Sequence, residues 1–173
     1  MGTQQTILLI INIVGGVAVI LSYVYGLRGQ AGGANVLWGG VSEGIRPVYF
    51  VSMILSAIGY FAFIYYLLFR INPSEISVEY SLFYVIFIVI LVASAFWMPL
   101  TNLYVSNPGT GLWIGIRTVL ALVGLGSIAL VWALLISQAE PRGLAYWFAV
   151  SGAGYFAFHT AILDAIVWAA LFK

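Results

Sequence analysis

Three ionisable side chains, Arg117, His159 and Asp164, lie well inside long apolar stretches, where each is costly enough to need a partner or a task. Arg117 stands about five residues into one stretch and Asp164 about eight from the end of the next, so antiparallel helices rising ~1.5 Å per residue put them at nearly one depth. Two chemistries fit: a structural ion pair between Arg117 and Asp164, or a carboxylate that binds a ligand or carries a proton. His159 precedes Asp164 by five residues, which on an α-helix turns it about 140° away. The sequence therefore predicts no His–Asp dyad and assigns His159 to packing. With one histidine and no cysteine, no metal site is expected. No nucleophile stands at helical spacing from a base, except Thr160 beside His159 and pointing away from it, so no enzyme activity is expected either.

The elements that must hold these groups follow from composition. Of 173 residues, 64% are hydrophobic and 6% charged, too little polar surface to cover a soluble globule. The expectation is an all-α integral membrane bundle of five transmembrane helices, one domain over residues 1–173. Apolar runs of membrane-spanning length cover roughly Thr6–Gly26, Pro47–Phe69, Tyr80–Tyr104, Leu112–Ser137 and Leu144–Phe172. They are unbroken, whereas barrel strands alternate. The first run follows MGTQQ, which has no basic residue, and is read as a span rather than a signal peptide. Turn residues join the later runs: Asn72-Pro73-Ser74, Asn107-Pro108-Gly109 and Glu140-Pro141-Arg142-Gly143. The connection over residues 27–46 has six glycines and Trp38 and reads as an interfacial flap over a mouth. It lacks the Gly-Lys-Ser/Thr of a phosphate loop. A net charge of +1 gives no reason to expect nucleic acid as a partner. Arg28, Arg46, Arg117 and Lys173 fall on one side and Arg70 and Arg142 on the other, which predicts a cytosolic first loop and C-terminus in a bacterial inner or an organellar membrane.

The last run carries two stripes. Ala153, Ala157, Ala161, Ala165 and Ala169 recur every four residues, a seam for close helix approach. Beside them Phe156, Thr160, Asp164 and Trp168 mix rings with a hydroxyl and a carboxyl, which fits either a ligand wall or a helix contact with one buried polar pair. The second run offers Ser52, Ser56, Tyr49, Tyr60, Phe63 and Tyr66. The string GYFAF occurs at Gly59–Phe63 and at Gly154–Phe158, each glycine three residues after a serine. It either sandwiches a flat ligand between two helices or repeats by coincidence.

Pro47-Val48-Tyr49 after a long first loop, Trp97-Met98-Pro99-Leu100 ending the third run, and Leu163-Asp164 with Trp168 four residues on together resemble the translocator protein family, also called the tryptophan-rich sensory proteins. The chain departs from that pattern in having no Trp-x-Pro-Pro in the first loop, Tyr49 for a tryptophan and Asp164 for an asparagine. The resemblance implies a five-helix bundle, often a homodimer, receiving porphyrin-like or sterol-like molecules under the first loop. It brings together Trp38 as lid, Tyr49, Trp97, Phe156, Thr160, Asp164 and Trp168 as wall, and Arg46 or Arg117 for an acidic group. The function expected is binding of a hydrophobic small molecule as sensor or carrier, with no bound cofactor. The alternative is a non-catalytic subunit docking on membrane-complex partners or lipid through the alanine seam.

Overall fold

The computed structural model describes residues 1–28, 33–137 and 142–172; Glu140, Pro141, Lys173 and part of the first connection lie outside them. Five spans are long and apolar enough to cross a membrane, and no strand occurs among the described residues. They are α1 (Thr3–Arg28), α2 (Arg46–Phe69), α3 (Ser81–Ser106), α4 (Thr110–Ile136) and a composite last span. The last span starts as α5 (Leu144–Ala157), widens into a π-helix over Phe158–Trp168 and closes with an α-helical turn, Ala169–Leu171. In hydrocarbon a backbone must satisfy its own polar groups, which makes apolar runs of this length helical.

Boundaries differ from the hydropathy reading by a few residues because winding continues into polar ends. Gln5 illustrates this at α1: its side chain accepts from the Gly2 N–H at 2.7 Å and donates to the Ile71 carbonyl at 3.1 Å.

The spans neighbour one another in the order α2, α5, α4, α3, α1, with a lighter contact between α1 and α2. Two apolar clusters fill the bundle. One joins Leu8, Phe63, Leu67, Tyr80, Phe87, Leu130, Tyr146 and Ala153. The other, at the opposite end, joins Val41, Tyr49, Ile116, Leu120, Trp168 and Phe172. Between them lies a polar layer of Ser52, Ser56, Ser127, His159 and Thr160, all buried.

Small residues let the spans approach. Gly59 of α2 meets Gly152 of α5, where a Cβ on Gly59 would come within 2.5 Å of the Gly152 carbonyl oxygen. Gly124 of α4 meets Ala161, and Ala153 and Ala157 are buried, so these parts of the alanine seam are helix contacts. The two GYFAF strings do not present one surface: nothing lies within 4 Å of a Cβ placed on Gly154. Phe156 meets Tyr60 and Phe63 edge-on at 5.8 and 5.7 Å. The rings expected to sandwich a ligand fill that space with each other.

The first connection clasps the far end of the last span. A 3₁₀ turn, Gly33–Trp38, precedes Gly40, whose N–H donates to the Leu171 carbonyl at 3.0 Å, while the Trp168 Nε1–H donates to the Leu37 carbonyl at 3.0 Å. Gly39 has φ 52°, and a Cβ there would strike Phe172.

The glycine crossing predicts that Gly59→Ala lowers stability by about 1–3 kcal/mol through overpacking, whereas Gly154→Ala is neutral or mildly stabilising; thermal unfolding in detergent measures both.

Candidate functional site

The π-helix determines what the polar layer can do. In a turn closed by i→i+5 bonds, a residue five positions on returns to the same face, and His159 Nε2 comes to 3.6 Å from Asp164 Oδ2. This corrects the sequence expectation, which assumed α-helical winding and set the two apart. The other imidazole nitrogen, Nδ1, is 2.9 Å from Ser52 Oγ, and the Tyr155 hydroxyl donates to Ser52 Oγ at 3.1 Å. A chain of polar groups thus runs from Asp164 through His159 and Ser52 to Tyr155, joining α2 to the last span. The Tyr49 hydroxyl donates to the Leu163 carbonyl at 2.8 Å, a second bond from α2 to the π turn. On the opposite side Thr160 meets Ser127 of α4 at 2.6 Å.

Ser52, His159 and Asp164 have the residue identities of a hydrolytic triad, but Ser52 is only 3% exposed. A nucleophile needs room for a substrate carbonyl. Ser52, His159 Nδ1 and the Tyr155 hydroxyl form a buried hydrogen-bonded contact between the two spans, and Asp164, its side chain 33% exposed, stands beside His159 at 3.6 Å, beyond hydrogen-bond distance.

Asp164 does not pair with Arg117. A row of rings intervenes: Tyr23 to Trp97 at 5.5 Å, Trp97 to Trp168 at 5.4 Å, Trp168 to Phe172 at 4.4 Å and Phe172 to Trp113 at 6.1 Å. Asp164 lies within electrostatic range of Tyr23 and Tyr49. Arg117 is exposed at the other end of the row, in a recess with Trp113 and Phe172. Similar depth brought the two charges level, but the bulk of the rings keeps them apart.

The remaining predicted site residues divide. Trp97 meets Trp168, and Asp164 lies within electrostatic range of Tyr23, which packs on Trp97. Tyr49 is buried with its hydroxyl committed to Leu163. Phe156 and Thr160 belong instead to helix contacts, Thr160 also donating to the Phe156 carbonyl at 2.9 Å, because the wider turn breaks the four-residue stripe. Trp38 packs on Tyr49 and Phe50 at 5.8 and 5.4 Å under the Arg46 guanidinium. Arg46 is engaged within the connection, donating to the Val41 carbonyl at 3.3 Å and to Asn35 Oδ1 at 3.4 Å. Tyr23 was not anticipated and no spacing signal marks it; Tyr155 stands in the second GYFAF string but was given no role of its own.

Among the described residues, two groups at the ring row lack hydrogen-bond partners. Trp97 Nε1 is buried without an acceptor. Among the described residues no hydrogen bond is donated to the Asp164 carboxylate, its closest contact being the 3.6 Å approach of His159. An unpaired polar group away from water costs about 1–3 kcal/mol, which applies to the buried Trp97 N–H; the Asp164 carboxylate is partly exposed.

Comparison of the chain with family models, curated proteins and solved structures found no match.

Ser52→Ala would leave His159 Nδ1 and the Tyr155 hydroxyl without their shared partner; it is expected to lower stability by about 1–3 kcal/mol, read as a lower midpoint of thermal unfolding. Ser106→Ala, which removes only an exposed hydroxyl bonded within its own helix, serves as the unaffected control.

Proposed function

We propose that this chain is a membrane receptor or carrier for a flat, hydrophobic small molecule, porphyrin-like or sterol-like, held against the ring row beside Asp164. The single observation that carries this reading is the pairing of needs on that row: among the described residues the buried Trp97 N–H has no acceptor and the partly exposed Asp164 carboxyl has no hydrogen-bond donor. Stacked and edge-on rings supply apolar area, and a few unsatisfied polar groups fix orientation, which is the usual make-up of a ligand site. The resemblance to the translocator proteins through Trp97, Asp164 and Trp168 agrees with it and supplies the ligand class. The site so defined lies among α1, α3 and the last span, and the first connection acts on it indirectly by anchoring Trp168. We further propose that the first connection faces the cytosol, on the balance of basic residues.

A second reading is a docking subunit. Its support is α1, in which only Gln5, Leu8 and Gly26 are buried, leaving a long apolar face for lipid or another helix. Native mass measurement in mild detergent separates the two, since a stable hetero-complex favours docking.

Addition of a porphyrin to the protein in detergent is expected to quench tryptophan fluorescence at micromolar concentration. Loss of the indole donor in Trp97→Phe should weaken binding about tenfold, the equivalent of one hydrogen bond, and Asp164→Ala should weaken it at least as much. An absence of quenching in the unaltered protein at micromolar porphyrin would overturn the proposal.

A further inference from the structure

A recess opens at the Arg117 end of the ring row. It is open, about 560 Å³, and walled by Tyr104, Trp113, Arg117, Ala169, Ala170 and Phe172. Arg117 is the eighth residue of α4, about 10 Å along the helix, and among the described residues the only basic side chain placed inside a span rather than at its end. A cation at this depth needs an anion or a route to the interface. Among the described residues Arg117 has neither an ion-pair partner nor a hydrogen bond. Asp164 lies on the far side of the rings, and Glu43, on the same side of the membrane, is exposed in the first connection.

We infer that this recess binds the phosphate of an anionic membrane lipid. Arg117 pairs with the headgroup, and Trp113, Tyr104 and Phe172 receive the glycerol and upper acyl chains. The guanidinium offers the forked donors that suit phosphate oxygens. Tyrosine and tryptophan are at home at headgroup level, and the Trp113–Tyr104 contact at 5.5 Å with the near-parallel Trp113–Phe172 stack at 13° makes a flat wall for chain methylenes. Arg28 and Arg46 end and begin their spans on this same side, adding positive potential that draws anionic headgroups. The shared chemistry is a phosphate anion, and its source is taken to be lipid because the recess is bounded by the membrane-embedded surface of α4 and the last span.

The test uses the full chain in vesicles of phosphatidylcholine carrying brominated phosphatidylglycerol or, at equal fraction, brominated phosphatidylcholine. Trp113 emission is isolated by subtracting the Trp113→Phe variant. Quenching by the brominated phosphatidylglycerol is expected to exceed that by the neutral lipid about fivefold in apparent affinity. Arg117→Gln should abolish the preference and Arg117→Lys retain part of it, both with unfolding midpoints unchanged in pure phosphatidylcholine. Equal quenching by the two lipids, or a preference that survives Arg117→Gln, overturns the site. Displacement of the neutral lipid by millimolar inorganic phosphate, dependent on Arg117 and without phosphatidylglycerol preference, overturns the lipid assignment in favour of a free anion.

Discussion

The closeness of α2 and α5 at Gly59 and Gly152 governs the rest of the molecule. With no side chain at either residue, backbone meets backbone, and the helices are held near enough for short side chains one or two turns away to bridge them. Ser52 reaches His159 only because of that spacing. A lipid environment supplies no hydrophobic drive between helices, so close packing and interhelical hydrogen bonds must hold the bundle. The glycine crossing supplies the first and positions the groups for the second.

The π-helix of the last span follows from the same arrangement. A stretch of i→i+5 winding is rare and tends to occur where function needs a side chain redirected. Here its carbonyls and side chains are tied on two sides, by Tyr49 and Ser52 from α2 and by Ser127 from α4. These bonds offset the poorer packing of the wider turn. The outcome is a carboxyl and an imidazole on one face. The polar layer lies between two apolar clusters, so its members have few alternative partners, and breaking one bond leaves a neighbour unsatisfied.

The spans were legible in the sequence because hydropathy over a membrane's thickness is an additive property of each run; Thr3–Arg28 and Leu144–Leu171 needed no tertiary information. Asp164, Trp97 and Trp168 were legible as candidate site residues because an acid and paired indoles stand out in a chain with 6% charged residues. The winding of Phe158–Trp168 was not. That segment contains neither proline nor glycine, and the groups that hold it wide sit on other helices, so no local signal exists. The differences around Asp164 came from this source or from its neighbour, the ring row, while Trp38 and Arg46 were taken up by packing and hydrogen bonds within the first connection. Thr160 left the expected wall, His159 joined Asp164, and Arg117 was cut off from the carboxyl by aromatic bulk whose placement depends on Tyr23 of α1 and Trp97 of α3.

The clasp between the first connection and the end of the last span links residues separated by 131 positions. Such contacts have high sequence separation, and chains that depend on them settle slowly because a long loop must be closed before anything is gained. Trp168, on which Trp97 and Phe172 pack, thus owes its indole acceptor to the closing of a loop of 131 residues, so the ring row is tied to one of the most sequence-distant contacts in the bundle.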